Sequence, residues 1–134
     1  MSKFTGLGTL LSAAILILLG CGTSAPNCIL SGLTVSPASA TEDHVAVAPG
    51  NQVQFFASPV ITAKGCAIAA CLNCSGQTWT VSDAVNVSIS NNALDNGMAT
   101  CLGPTNGAVT VTATAPVSAK SSQTVTGTSA LTCK

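Results

Sequence analysis

The sequence predicts an all-β protein, and three observations lead to that prediction. The clearest strand is 107–115, where Val109, Val111, Ala113 and Ala115 alternate with threonines, giving one apolar and one polar face. Ser and Thr supply 32 of the 134 residues, which leaves few strong helix formers. Gly, Asn and Pro separate the β-branched stretches at short intervals, as turns do between strands.

Length and charge indicate one domain and exclude one class of partner. The hydrophobic fraction is 47%, which suits a chain with a packed core rather than a disordered one. The formal net charge is zero, arginine is absent, and the lysines are scattered at positions 3, 64, 120 and 134. Because nucleic-acid binding needs clustered cations, we expect no nucleic-acid partner.

Residues 1–20 are predicted to be a cleaved signal peptide. Lys3 supplies positive charge, and residues 7–19 form an apolar run that is too short for a transmembrane helix of about 20 residues. The run ends in Leu18-Leu19-Gly20-Cys21, which resembles the lipobox of bacterial lipoproteins. The resemblance implies cleavage before Cys21 and acyl chains on that residue, which would anchor the protein in a lipid bilayer. The alternative is an ordinary secretory signal with Cys21 incidental.

The next residues indicate where the anchored protein is delivered. Residue 22 is Gly, whereas the lipoprotein sorting pattern reserves Asp there for the inner membrane. The resemblance therefore implies an exported protein on the bacterial outer membrane. Residues 21–27 form a lipidated tether, and residues 28–134 form the folded domain.

The cysteine count agrees with lipidation. Seven cysteines are an odd number, and removing Cys21 leaves six that can pair fully in an oxidising compartment. Cys101 and Cys133 lie in two late strands and are expected to crosslink them, while one loop cysteine is available to pair with Cys28. The six disulfide candidates are Cys28, Cys66, Cys71, Cys74, Cys101 and Cys133.

The first half of the domain reads as short strands. Residues 29–36 form the first strand, which Pro37 ends because proline cannot donate to a ladder. Val45 and Val47 suggest a second short strand. The turn Pro49-Gly50-Asn51 leads into a strand at 52–57, in which Phe56 faces outward.

The second half alternates strands and turns after a long loop. Residues 58–77 contain Pro59, two glycines and three cysteines, and are predicted to be a crosslinked loop. Strands are then predicted at 78–81, 85–89, 97–102, 107–115 and 123–133. The predicted core residues are Leu33, Val35, Val53, Phe55, Trp79, Val81, Val87, Ile89, Val109, Val111, Val125 and Leu131.

Three stretches resemble the bacterial immunoglobulin-like group 2 domain. They are residues 33–55 with the turn at Pro49-Gly50-Asn51, the Trp79 strand Thr78-Trp-Thr-Val-Ser-Asp83, and the Gly-led strand at 107–114. The resemblance implies an Ig-like antiparallel β-sandwich of about seven strands with Trp79 in its core. It implies no catalytic residue. Antibody-type domains join their second and sixth strands by a disulfide, but the corresponding strands at 52–57 and 107–115 contain no Cys.

Residues 60–77 are the expected ligand-facing surface, if a ligand exists. Loops at the end of a rigid sandwich often display binding residues, and crosslinks reduce the entropy lost on binding. The cysteines also allow two other interpretations. Cys66, Cys71 and Cys74 could hold zinc with His44 as a fourth ligand, and Cys71 with Cys74 could act as a redox dithiol. Because an exported chain is oxidised, structural disulfides are favoured and no metal or cofactor is expected.

Catalysis is not expected. Glu42-Asp43-His44 is the only cluster of titratable groups, and adjacent residues of an extended chain point to opposite faces, so a solvated turn is favoured. The sequence also lacks a Gly-x-Ser-x-Gly nucleophile motif. We therefore predict a non-catalytic binding or adhesion module whose partner is a glycan or an envelope protein. The alternative is a passive structural envelope protein.

Overall fold

The computed structural model describes residues 30–61, 77–117 and 121–134. Every regular element in these ranges is a β-strand, which confirms the predicted all-β class. The strands are β1 (Leu30–Ser36), β2 (Ser39–Glu42), β3 (Gln52–Gln54), β4 (Phe56–Ile61), β5 (Thr78–Val81), β6 (Val87–Ile89), β7 (Met98–Cys101), β8 (Val109–Pro116) and β9 (Thr124–Cys133).

The strands form the two layers of an Ig-like sandwich. One layer is the sheet β2-β9-β8-β5. The other combines the pair β1-β4 with the sheet β3-β7-β6, since only Phe55 separates β3 from β4 in the chain. All strand pairs are antiparallel except β2 with β9. This division of the strands matches the immunoglobulin arrangement.

The nine segments correspond to seven strands, two of which are interrupted. Pro37 separates β1 from β2, and the chain changes layers there because proline has no N–H to continue the ladder. Phe55 separates β3, which pairs with β7, from β4, which pairs with β1. Counted this way, the number agrees with the prediction of about seven.

The predicted central strand is β8, which lies between β5 and β9. Its odd-numbered residues from Val109 to Ala115 are buried, while Thr110 is exposed. This burial follows the predicted alternation because successive side chains of a strand point to opposite layers. β9 pairs with it over its whole length, and β5 pairs with its residues 111–114.

All twelve predicted core residues pack in the interior. Eight are buried: Leu33, Val35, Phe55, Trp79, Val87, Val109, Val111 and Leu131. The other four are partly buried and pack against that cluster: Val53, Val81, Ile89 and Val125. Phe56 is 62% exposed, so the outward orientation predicted for it is confirmed.

One predicted strand is wrong. Val45 and Val47 lie in a turn and are 75% and 86% exposed, and the strand in this region is instead β2 at Ser39–Glu42. The sequence Ser-Ala-Thr-Glu of β2 has no apolar alternation that could have revealed it. Its strand conformation depends on parallel pairing with β9, which is a long-range interaction.

Two predicted boundaries also need correction. The loop predicted at 58–77 begins later, because β4 continues to Ile61 opposite β1. Pro59 is tolerated inside β4 because that strand has a ladder partner on one side only. Val85 is 82% exposed in a turn, and the strand predicted at 85–89 begins at Val87. Residues 62–76 of the predicted loop lie outside the described residues.

Candidate functional site

Trp79 is buried in the core of the sandwich, and its indole N–H has a hydrogen-bond acceptor. The side chain is 3% exposed, and its indole N–H donates to Oδ1 of Asn96 over 2.7 Å. Gly97 follows with a φ of +83°, and a Cβ there would lie 3.0 Å from two atoms of the ring and would collide with the carbonyl oxygen of Phe55. Only glycine allows this turn to lie directly against the indole.

Asn91 covers the free edge of the Trp79 strand. The backbone N–H of Trp79 donates to Oδ1 of Asn91 over 2.6 Å, and Nδ2 of Asn91 donates back to the Trp79 carbonyl over 3.0 Å. Since β5 is an edge strand, the amide replaces the hydrogen bonds that a further strand would make. Nothing in the sequence signals these contacts with Trp79.

The Cys101–Cys133 disulfide joins the two layers. Cys101 ends β7 in one layer, Cys133 ends β9 in the other, and each is 1% exposed. This is the pair expected from the sequence. Thr105 lies beside it: its N–H donates to the Cys133 carbonyl, and the Cys133 N–H donates to its hydroxyl, both over 3.0 Å. The bridge is therefore buried and structural.

The other predicted cysteine sites lie outside the described residues. These sites are the lipidated Cys21 and the disulfide candidates Cys28, Cys66, Cys71 and Cys74. The signal peptide at 1–20, the tether at 21–27 and most of the predicted ligand-facing surface at 60–77 lie there too. They remain predictions.

One end of the sandwich, here called the Leu30 end, is where the chain enters. The Leu30 N–H donates to the Val117 carbonyl over 3.0 Å, and Leu30 is paired with Ile61. Gln77 is also at this end, because the next residue, Thr78, pairs with Thr114 near the end of β8. The described chain therefore stops at Ile61 and resumes at Gln77 on the same end as Leu30.

The opposite end, here called the Lys134 end, is built from the loops at 43–51, 82–86 and 102–108. Hydrogen bonds join their backbones: the Cys101 N–H donates to Asn51 over 2.9 Å, and the Leu102 N–H donates to Asn86 over 2.7 Å. Four aliphatic side chains are exposed here. They are Val45 (75%), Val47 (86%), Val85 (82%) and Leu102 (58%).

The Glu42-Asp43-His44 cluster is used in local structure. Oδ1 of Asp43 accepts a hydrogen bond from the Val45 N–H over 3.0 Å, as in a capped turn. Nδ1 of His44 lies against the carbonyl oxygen of Lys134 and must donate to it, because a carbonyl only accepts. Among the residues that the structure describes, no group of His, Cys, Asp and Glu could hold a metal ion.

Asp83 caps a turn at the Lys134 end. Hydrogen bonds from the side chain and then the backbone of Asn86 hold the pKa of Asp83 below its ordinary value, and the Val85 N–H adds a further bond. The turn fixes the loop that presents Val85 to solvent.

His44 lies far from Gln77, the described residue nearest in sequence to the cysteines considered as its zinc partners. His44 contacts Lys134, beyond the end of β9, whereas Gln77 lies near the opposite end of that sheet. Nearly the full length of β9 separates the two positions, which is about 30 Å at a strand's rise per residue. Cys74 is three residues from Gln77 and can reach only about 10 Å from it. Cys66, Cys71 and Cys74 themselves lie outside the described residues.

Comparison with known proteins assigns the chain to no family. No protein-family model matches the chain, and no curated protein sequence matches it. In the three described stretches there is no helix with the length and apolar character needed to cross a bilayer.

Proposed function

We propose that this chain is a membrane-anchored bacterial lipoprotein whose Ig-like domain is a non-catalytic binding or adhesion module at the cell envelope. The observation that carries the proposal is Leu18-Leu19-Gly20-Cys21 at the end of an apolar N-terminal run. The resemblance to the bacterial immunoglobulin-like group 2 domain supports the role, because such domains occur repeatedly in surface proteins. Gly22 favours delivery to the outer membrane.

The number of cysteines supports the anchor. The pair Cys101–Cys133 uses two of the seven, and five remain at positions 21, 28, 66, 71 and 74. Five thiols cannot all form disulfides within one chain, whereas lipidation of Cys21 leaves four that can. One acyl chain binds a membrane only marginally, but the two or three chains of a lipoprotein bind it durably.

The anchor is tested by mass and by fractionation. Protein purified from membranes should be heavier than the unmodified chain starting at Cys21 by the mass of two or three acyl chains. The Cys21→Ser variant should lose both the added mass and the membrane association. A secreted soluble protein without a lipid adduct would refute the anchor and would favour an ordinary signal peptide.

The binding role needs a separate experiment. The purified domain is screened on a glycan array and used in crosslinking pull-downs from envelope extract, with heat-unfolded domain as the control. We expect saturable binding of one glycan class or one envelope protein. If only the unfolded control retains material, the domain is a passive structural protein of the envelope.

A further inference from the structure

The N-terminal segment and the 62–76 segment join the sandwich at the same end. Residue 29 precedes Leu30, and the 62–76 segment leaves after Ile61, which is paired with Leu30. The segment rejoins the described chain at Gln77, before β5. Strand connectivity therefore brings Ile61 and Gln77, the described residues that flank the cysteine-rich stretch, to the same end as Leu30, although the sequence separates that stretch from the tether by the whole of β1 to β4.

The length of the tether limits how far this end can lie from a membrane. Leu30 lies nine positions after Cys21, and a fully extended chain over that separation spans about 30 Å. β9 runs from Thr124 near the Leu30 end to Cys133 at the Lys134 end, which is also about 30 Å. The Lys134 end can thus lie farther from the membrane than the Leu30 end by the full length of the domain.

Charge is distributed unequally between the two ends. Of the four acidic residues in the chain, Glu42, Asp43 and Asp83 lie at the Lys134 end together with the cation Lys134, and Asp95 lies in the turn before β7, at the end of that strand away from the Lys134 end. In the sequence, Lys64 comes three residues after Ile61, and Lys120 comes three residues after Val117. Ile61 and Val117 both lie at the Leu30 end. An anionic headgroup surface repels carboxylates and attracts lysines over about one Debye length.

We propose that the anchored protein turns its Leu30 end toward the phospholipid headgroups of its own membrane and displays its Lys134 end away from them. This orientation rests on the proposed lipid anchor at Cys21. It places the predicted ligand-facing stretch 60–77 beside the bilayer. The surface left accessible to other molecules is the one formed by the loops at 43–51, 82–86 and 102–108.

Four of the seven exposed large hydrophobic side chains among the described residues lie at the displayed end. The loops of the Lys134 end present Val45, Val47, Val85 and Leu102 to solvent at 58% exposure or more. Their backbones are fixed by the hydrogen bonds to Asn51 and Asn86, so the side chains are displayed from a rigid base. A partner that binds the displayed end would bury apolar surface, which is the main source of affinity in protein association.

The orientation is tested by energy transfer to the membrane. Lipidated protein is inserted into preformed vesicles of phosphatidylcholine and phosphatidylglycerol that contain an acceptor-labelled phospholipid. A fluorescent amino acid replaces one exposed residue at a time: Ser122 near the Leu30 end, Thr128 in the middle of β9, or Val47 at the Lys134 end. We expect transfer to fall in that order, by about twofold or more between Ser122 and Val47, since about 30 Å of strand separates the ends.

Controls separate the orientation from the anchor. Vesicle flotation is measured first, and the Cys21→Ser variant should neither float nor show transfer from any position. If wild-type protein does not float, the anchor is refuted and the orientation with it. If it floats but the three positions show equal transfer, or Val47 shows the most, the orientation alone is refuted.

Discussion

Trp79 is fixed by partners from the turn before β7 and by the neighbouring backbone of Phe55. Asn96 accepts its indole N–H, Asn91 pairs with its backbone, and Gly97 lies against its ring beside the carbonyl of Phe55. A buried indole without an acceptor would leave an unsatisfied donor, which costs free energy. The turn before β7 therefore serves both to reverse the chain and to complete the core.

Replacing the tryptophan tests its burial. Trp79→Ala should lower the free energy of unfolding by about 3 to 5 kcal/mol, because a large cavity would remain in the core. Phe56→Ala is the matched control, since that ring is 62% exposed, and it should change stability by less than about 1 kcal/mol. Urea denaturation followed by circular dichroism gives both values. Water-exposed Trp79 emission in the folded wild type would contradict the arrangement.

Substitutions at two glycines distinguish the stability cost of backbone strain from the cost of disturbed packing. Gly97 and Gly107 both have positive φ, at +83° and +86°, but only Gly97 has neighbours where a Cβ would be. Gly107→Ala should cost about 1 to 2 kcal/mol, which is the conformational penalty alone. Gly97→Ala should cost about 1 to 3 kcal/mol more, because it also forces the turn off the indole. Equal losses in thermal or urea denaturation would show that the turn does not press on Trp79.

At the scale of elements, the Cys101–Cys133 bridge connects β7 and β9 across the core. It lies at the Lys134 end, where Thr105 also holds the end of β9 by two hydrogen bonds to the backbone of Cys133, one through its N–H and one through its hydroxyl. The position differs from the bridge between second and sixth strands in antibody domains. In both cases the bond joins the two layers, so the layers cannot separate at that end.

Removing the bridge should destabilise the domain without changing its fold. The double variant Cys101→Ser and Cys133→Ser should lose about 3 to 4 kcal/mol, the chain-entropy value for a loop closed over a separation of 32 residues. The measurement is urea denaturation of the purified domain against wild type. A loss below about 1 kcal/mol would mean that packing at this end, including the contacts of Thr105, holds the layers together unaided.

At the scale of the whole molecule, the described core is built from strands on both sides of residues 62–76. The buried cluster draws on β1 and on every strand from β5 to β9, with Phe55 at the junction of β3 and β4. The two layers are also joined by a disulfide that lies at the end opposite to where this segment connects. We therefore expect the fold to persist when this segment is replaced.

Replacing this segment tests that independence. A flexible Gly-Ser connection in place of residues 62–76, combined with Cys28→Ser to avoid a lone thiol, should leave the Trp79 emission unchanged. The cost in stability should be small, because loop-closure entropy changes slowly with length. As the control, the same replacement of residues 102–108 removes Thr105 and should destabilise the domain clearly. Loss of the native emission in the first variant would show that the segment belongs to the core.

Apolar alternation predicted most of the elements because it is a local consequence of strand geometry. β8, β9 and the Trp79 strand were each readable from a few consecutive residues, and their inward faces were assigned correctly. β2 escaped prediction because Ser-Ala-Thr-Glu takes its conformation from β9, which is distant in the sequence. The strand predicted at Val45 and Val47 was wrong because local alternation does not form a strand by itself. Among the described residues, these two valines have no strand beside them to pair with.

The sequence by itself determined the all-β class and the inward residues, and it led to the expectations of a Cys101–Cys133 pair and of lipid attachment at Cys21. These follow from side-chain periodicity, cysteine parity and a contiguous motif, all of which can be read without knowing any long-range contact. Only the tertiary structure decided that Phe55 and Pro37 divide strands between layers, that Asn91 and Asn96 hold Trp79, and which loops share an end. Such features depend on strand pairing, because pairing brings distant segments together through backbone hydrogen bonds that carry no residue-specific signal.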